Sequence, residues 1–84
     1  MKKIVIYTST FCPYCITAKN LLENENLIFE EKNVDLEPTF KLEMISRANG
    51  SKTVPQIFID NEHIGGCDDL LDLHQSGTLR KKFL

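Results

Sequence analysis

The sequence predicts an α/β fold, a four-stranded mixed sheet with helices on both faces in the order β-α-β-α-β-β-α. Three observations carry that expectation. Residues 3–8, Lys3-Ile4-Val5-Ile6-Tyr7-Thr8, form a continuous β-branched and aromatic run. Such a run suits a strand buried on both faces. Helical patterns then alternate with strand-like runs, and the first β-α-β unit is long enough for a parallel, right-handed crossover. Finally, two short runs between residues 56 and 64 lie so close in sequence that they form an antiparallel hairpin.

Each element follows from its residues. From Pro13 to about Asn24, Cys15, Ala18, Leu21 and Leu22 recur at helical spacing, with Lys19, Asn20 and Glu23 on the other face. Asn24-Glu25-Asn26 ends that helix. Residues 28–34 read as a polar edge strand protected by its charges. Asp35-Leu36-Glu37-Pro38 starts a second helix, with Pro38 or Thr39 in its first turn. Its apolar stripe is Phe40, Met44, Ile45 and Ala48, and Asn49-Gly50 stops it. Residues 51–55 are a loop, and Gln56-Ile57-Phe58-Ile59 is the third strand. Asp60-Asn61-Glu62 turns the chain into a short fourth strand at His63-Ile64. The last helix begins at Cys67 or Asp68, carries Leu70, Leu71 and Leu73, and closes at Gly77. Residues 78–83 add a short terminal helix. No repeat, low-complexity tract or linker divides the chain, so residues 1–84 are expected to form one domain.

Composition narrows the function. The chain has 84 residues, enough for one small domain with a modest core. A net charge of −2 gives no electrostatic case for nucleic acid or an anionic membrane. The basic cluster Arg80-Lys81-Lys82 reads as a solvated helix end whose charge complements the dipole. No apolar run approaches the roughly 18 residues of a membrane span. Lys2-Lys3 and the short apolar run after them lack the cleavage site of a signal peptide, so the expected location is the cytoplasm. Three cysteines are too few, and too odd, for a secreted disulfide scaffold.

Three stretches could carry chemistry. In Thr10-Phe11-Cys12-Pro13-Tyr14-Cys15, two thiols three residues apart share one face of a helix start. Their Cβ atoms would be about 5–6 Å apart, and a small adjustment closes a disulfide. Pro13 suits the first turn, where a missing N–H costs nothing. Orphan N–H groups there favour a thiolate. Cys12, nearer the loop, is read as the attacking nucleophile, and Cys15, one turn inside, as the resolving thiol. The competing reading is a zinc site from Cys12, Cys15, His63 and Cys67, but no second CxxC or HxxxH supports it. In the second stretch, Thr53-Val54-Pro55, the proline either starts a strand or sits in a cis bond that frees the preceding backbone groups to pair with an extended peptide. Lys52 beside it could hold a carboxylate. In the third, Gly65-Gly66-Cys67-Asp68-Asp69, two glycines allow close backbone approach and the helix start attracts an anion. An aspartate there could take an ammonium. Cys67 reads as a small buried hydrophobe. Tyr14 could flank a ligand. His63 and His74 show no triad or metal spacing.

Together, YTxxxCPYC at 7–15, TVPQIFI at 53–59 and GGCDDL at 65–70 resemble a glutaredoxin of the small bacterial dithiol type. The resemblance covers essentially the whole chain. It implies a thioredoxin fold and glutathione-dependent reduction of protein disulfides and glutathione mixed disulfides. It implies Cys12 as nucleophile, Cys15 as resolving thiol and a cis Pro55. It also implies that Val54 backbone groups pair with the cysteinyl part of glutathione, that Tyr14 lines that groove, and that Cys67 and Asp68 hold the γ-glutamyl end. Lys52, Thr53 and Gly66 complete the expected glutathione site. Glutathione is then a co-substrate, with no bound cofactor and no metal. Expected partners are disulfide-containing or glutathionylated proteins, ribonucleotide reductase among them, with neither nucleic acid nor membrane, and a monomer is the default. Many relatives carry a lysine where this chain has Ser9, which shifts the glycine-end carboxylate toward Lys52 or Arg47. The alternatives are a related electron donor reduced by thioredoxin reductase, or an iron–sulfur or zinc carrier. Pro13, Tyr14 and Cys15 argue against the carrier.

Overall fold

Strand β1 (Ile4–Thr8) is the axis of the molecule, and all five of its residues are buried. In the computed structural model, which describes residues 2–83, it pairs in parallel with β2 (Phe29–Asn33) and antiparallel with β3 (Gln56–Ile59). β4 (Glu62–Gly65) closes the sheet, whose order is β2-β1-β3-β4. The helices are α1 (Pro13–Asn24), α2 (Pro38–Arg47), α3 (Cys67–Gln75) and a short α4 (Thr78–Lys81). Among the described residues, no helix is long and apolar enough to cross a membrane.

The pleat of β1 sorts its side chains into two cores. Ile4 and Ile6 join Ala18, Leu21 and Leu22 of α1, Ile57 and Ile59 of β3, and Leu70 of α3. Val5 and Tyr7 point the other way, to Met44, Ala48 and Phe58. The face covered by α2 is therefore the thinner one, and polar contacts help to hold it. The Tyr7 hydroxyl donates to Glu43 and accepts from Arg47 Nη1 at 2.8 Å. Lys32 Nζ reaches Glu43 Oε2 at 2.7 Å. Burial and the Glu43 hydrogen bond push the Tyr7 hydroxyl up to about 12. Hydrogen bonds from Lys32 and Tyr7 hold the Glu43 carboxyl below its ordinary value.

A lowered folded-state value means that the unfolded chain takes up the proton first. Stability from Glu43 is thus full above its ordinary value of 4.5 and disappears as pH falls through the lower folded value. Wild type should exceed Glu43→Gln in stability at pH 7 by about 1 kcal/mol or less, because water screens this half-exposed pair. The gap should close as pH falls below 4.5 and through the lower folded value, as read by thermal melts.

Several boundaries differ from the sequence expectation, with β1 starting at Ile4 and α4 ending at Lys81 among them. β2 covers 29–33 rather than 28–34, leaving Ile28 exposed. The second helix starts at Pro38, the last residue of the expected 35–38 opening and in the first turn as expected, because Asn33 Oδ1 accepts from the N–H groups of Asp35 (2.9 Å) and Leu36 (3.3 Å) and folds 34–36 into a turn. The hairpin loop is two residues, since Asp60 (φ 49°) and Asn61 (φ 70°) both take left-handed conformations. That geometry matches the strand twist and puts Glu62 into β4, opposite Ile59.

Candidate functional site

The C-terminal end of β1 delivers the chain to the start of α1. Two contacts from beyond β1 fix the loop between them. Thr8 Oγ1 donates to Glu31 Oε2 at 2.7 Å, and the Thr10 N–H donates to Asp35 Oδ2 at 2.9 Å. Burial opposes ionisation of Glu31, yet hydrogen bonds from Thr8 and Lys19 outweigh it and hold the carboxyl below its ordinary value. Phe11 is left 94% exposed and Tyr14 67% exposed on either side of the first thiol position.

Cys12 is the N-cap of α1, and Pro13 occupies the first turn. Cys12 and Cys15 are joined as a disulfide, with Cα atoms 5.2 Å apart. Cys12 Sγ also accepts from the Cys15 backbone N–H at 3.1 Å. This is the capping position normally taken by a serine or aspartate oxygen. A thiolate formed there meets a donor already aimed at it and the positive end of the helix. Of the pair, Cys12 keeps 8% of its surface and Cys15 only 1%, which matches the expected outer and inner thiols.

Two other segments meet this helix start. The Val54–Pro55 bond is cis, and the Val54 carbonyl oxygen lies 3.9 Å from Cys12 Sγ. Gly66 comes so close to Pro55 that a Cβ there would sit 3.4 Å from the Pro55 oxygen. Between these segments runs a groove of about 390 Å³. Tyr14, Thr53 to Pro55 and Gly66 to Asp68 line it, so seven of the expected site residues converge there.

The two aspartates at the start of α3 have different jobs. Asp69 Oδ2 accepts from the Gly66 N–H at 3.0 Å and caps the helix. Asp68 is exposed beside the groove. Burial, and then the Asp68 charge, push the Cys67 thiol up, so it stays protonated at neutral pH and packs as an apolar group. Lys52 is exposed in the loop before Thr53 and does not line the groove. Arg47 is held elsewhere, on the Tyr7 hydroxyl and on Asn61 Oδ1 at 3.2 Å, with its guanidinium 4.3 Å from the Phe58 ring centre. Arg47 is therefore not a second cation for this groove, and Lys52 is the nearer candidate. Among the described residues no group of three or more His, Cys, Asp or Glu is placed to hold a metal ion.

Sequence reasoning missed Gln56 and gave His63 no task. Gln56 is 4% exposed at the head of β3. Its Nε2 reaches Ser51 Oγ and Thr53 O, each at 3.0 Å. His63 Nε2 lies 2.7 Å from its Oε1. The available signal was an amide side chain heading an otherwise apolar strand, since a buried amide needs partners.

Residues 4–64 match the family model described as glutaredoxin. The chain belongs to the glutaredoxin family. It is 53% identical over 79 residues to glutaredoxin 1 of Rickettsia prowazekii, an alignment covering 93% of this chain and 83% of that protein. The solution structure of a Brucella melitensis glutaredoxin superposes with a TM-score of 0.80 at 43% identity, covering 94% of this chain and 85% of that one. A buckwheat glutaredoxin–glutathione complex superposes with a TM-score of 0.85 at 29% identity, covering 95% and 74%. The sheet order and the Cys12–Cys15 pair are thus those of a glutaredoxin with the thioredoxin fold, a thiol–disulfide oxidoreductase of a family that uses glutathione.

Proposed function

We propose that residues 1–84 act as one domain that reduces glutathione mixed disulfides and protein disulfides through Cys12, with glutathione seated in the groove beside it. One observation carries this reading: Cys12 Sγ lies 3.9 Å from the Val54 oxygen, at the edge of the groove that continues to Asp68. A disulfide held there has one sulfur within reach of Cys12. The buckwheat relative, solved with glutathione, supports the choice of ligand.

The pieces of glutathione match the groove by chemistry. The γ-glutamyl carboxylate meets N–H groups at the start of α3, and its ammonium meets the Asp68 carboxylate. The cysteinyl backbone pairs with Val54 in the manner of an added strand. The glycine carboxylate falls to Lys52, next to Thr53. Tyr14 forms the wall near the sulfur.

With a glutathionylated protein, the Cys12 thiolate attacks the glutathione sulfur and the protein thiolate leaves and takes up a proton. A second glutathione thiolate then attacks the glutathione sulfur bound to Cys12. This gives glutathione disulfide and regenerates the Cys12 thiolate. With a protein disulfide, Cys12 first forms a mixed disulfide with the protein. Cys15 then attacks Cys12 and releases the reduced protein. Two glutathiones reduce the resulting Cys12–Cys15 bond through a mixed disulfide at Cys12. The family suggests ribonucleotide reductase and glutathionylated proteins as substrates. A cytoplasmic monomer without a bound cofactor fits this cycle.

The test is reduction of the glutathione mixed disulfide of 2-mercaptoethanol, with glutathione or thioredoxin reductase as the electron source. Glutathione should sustain turnover and the reductase should not; the reverse result would overturn the reading. Within this assay, Lys52→Ala and Asp68→Asn should each raise KM about two- to fivefold, as expected for exposed charge pairs. Both side chains are exposed, so melting temperatures should move little. An unchanged KM in both variants would remove them from the site.

A further inference from the structure

We infer that Gln56 and His63 are positioning residues that aim the Val54 N–H into the groove, and so set the affinity for the cysteinyl part of glutathione. The inference rests on the reading above and adds two residues that touch neither thiol.

The geometry begins with an amide whose orientation is fixed. Gln56 Nε2 faces the Thr53 carbonyl oxygen at 3.0 Å, and a carbonyl can only accept. Ser51 Oγ at 3.0 Å and Thr53 Oγ1 at 3.2 Å lie on the same side. The nitrogen therefore points to the loop, and Oε1 points to His63. His63 Nε2, 2.7 Å away, must then carry the proton and donate it. Its ring is stacked on Phe58, with centres 4.9 Å apart and planes 24° apart, so the donor cannot swing freely.

The consequence lies one peptide unit along. The Thr53–Val54 bond is trans, unlike the next one. In a planar trans peptide, C=O and N–H point in opposite directions. Drawing the Thr53 oxygen inward to Gln56 turns the Val54 N–H outward, on a residue that lines the groove. Among the described residues, none accepts from that N–H. An extended ligand backbone can use it. The chain of contacts is thus Phe58, His63, Gln56, Thr53 and Val54, and Gln56 and His63 themselves line the groove beside Val54.

The substitutions separate aim from fold. Gln56→Met keeps the volume and removes every hydrogen bond. His63→Phe keeps the stack on Phe58 and removes only the donor to Oε1. With the glutathione mixed disulfide of 2-mercaptoethanol, Gln56→Met should raise KM about tenfold, the value of one good hydrogen bond, while kcat changes less than about threefold. His63→Phe should raise KM about threefold, and His63→Gln, which returns an N–H donor, should restore it. The Val54 amide proton resonance should shift in Gln56→Met and His63→Phe and return in His63→Gln. Reduction of the Cys12–Cys15 bond by dithiothreitol, which needs no groove, should be unchanged in all three. A wild-type KM in both Gln56→Met and His63→Phe overturns the inference alone. So does an equal loss in the dithiothreitol reaction, which would signal general damage. Failure of the wild type to turn over the mixed disulfide overturns the glutathione reading and this inference together.

Discussion

Cys12→Ser should abolish turnover of glutathione mixed disulfides and of protein disulfides alike, a loss on the order of 10³-fold or more. The reason is chemical before it is structural, since a serine oxygen cannot form the mixed disulfide through which both routes pass. Cys15→Ser should divide the two activities. The donor that stabilises Cys12 is the backbone N–H of Cys15, 3.1 Å from its sulfur, and a serine keeps that N–H. Cys12 therefore keeps its capping partner and its place at the helix start. Deglutathionylation should stay within about threefold of wild type, because external glutathione resolves that intermediate. Reduction of a protein disulfide should fall about 100-fold, because the resolving attack loses its intramolecular advantage. Both numbers come from steady-state assays on the same preparations. Equal loss of the two activities in Cys15→Ser would refute the division of labour.

What could be read from the chain depended on how far apart the interacting residues are. The dithiol was legible because the helix N-cap, the proline and both sulfurs lie within four residues, Cys12 to Cys15. The two glycines and the TVP loop were legible for the same reason. The strands showed because β1 and β3 are buried and almost entirely apolar. Pro38 was legible as a first-turn residue of α2, but which residue of Asp35-Leu36-Glu37-Pro38 opens the helix was not, because the whole stretch is a good helix opening in isolation. The turn that delays it depends on the direction of one asparagine side chain. Asp68 and Asp69 are the same residue type side by side and both line the groove, and only the helix geometry makes Asp69 the cap. Arg47 looked available from its charge, and it is the fold that commits it to Tyr7 and Asn61. Contacts such as Thr10 with Asp35, or Gln56 with His63, join elements that only the sheet topology brings together.

Gly65→Ala should be the most damaging single-atom change outside the thiols. Gly65 is the last residue of β4 and has φ +120°, where a side chain is strained. A Cβ there would also run into the Asp69 carboxylate, the group that caps α3 through the Gly66 N–H. Backbone strain and loss of the cap together predict a loss of roughly 2–4 kcal/mol. For a domain of this size that is a fall in melting temperature of roughly 10–25 °C. Because Gly66 packs against the Pro55 oxygen, the same change should also raise KM for the glutathione mixed disulfide. Asp69→Ala, which removes only the cap, should cost about 1 kcal/mol. The two substitutions should not add. Once Asp69 is shortened to alanine the clash with the carboxylate is gone and only a tight 3.0 Å contact with the residue 69 Cβ remains, so the double variant should be less destabilised than the sum of the singles by about 1 kcal/mol. Strain at φ +120° stays in the double variant and keeps it well below wild type. Thermal melts of the four proteins close the cycle. Simple additivity would show that the strand end, and not the clash with the capping carboxylate, is what Gly65 protects.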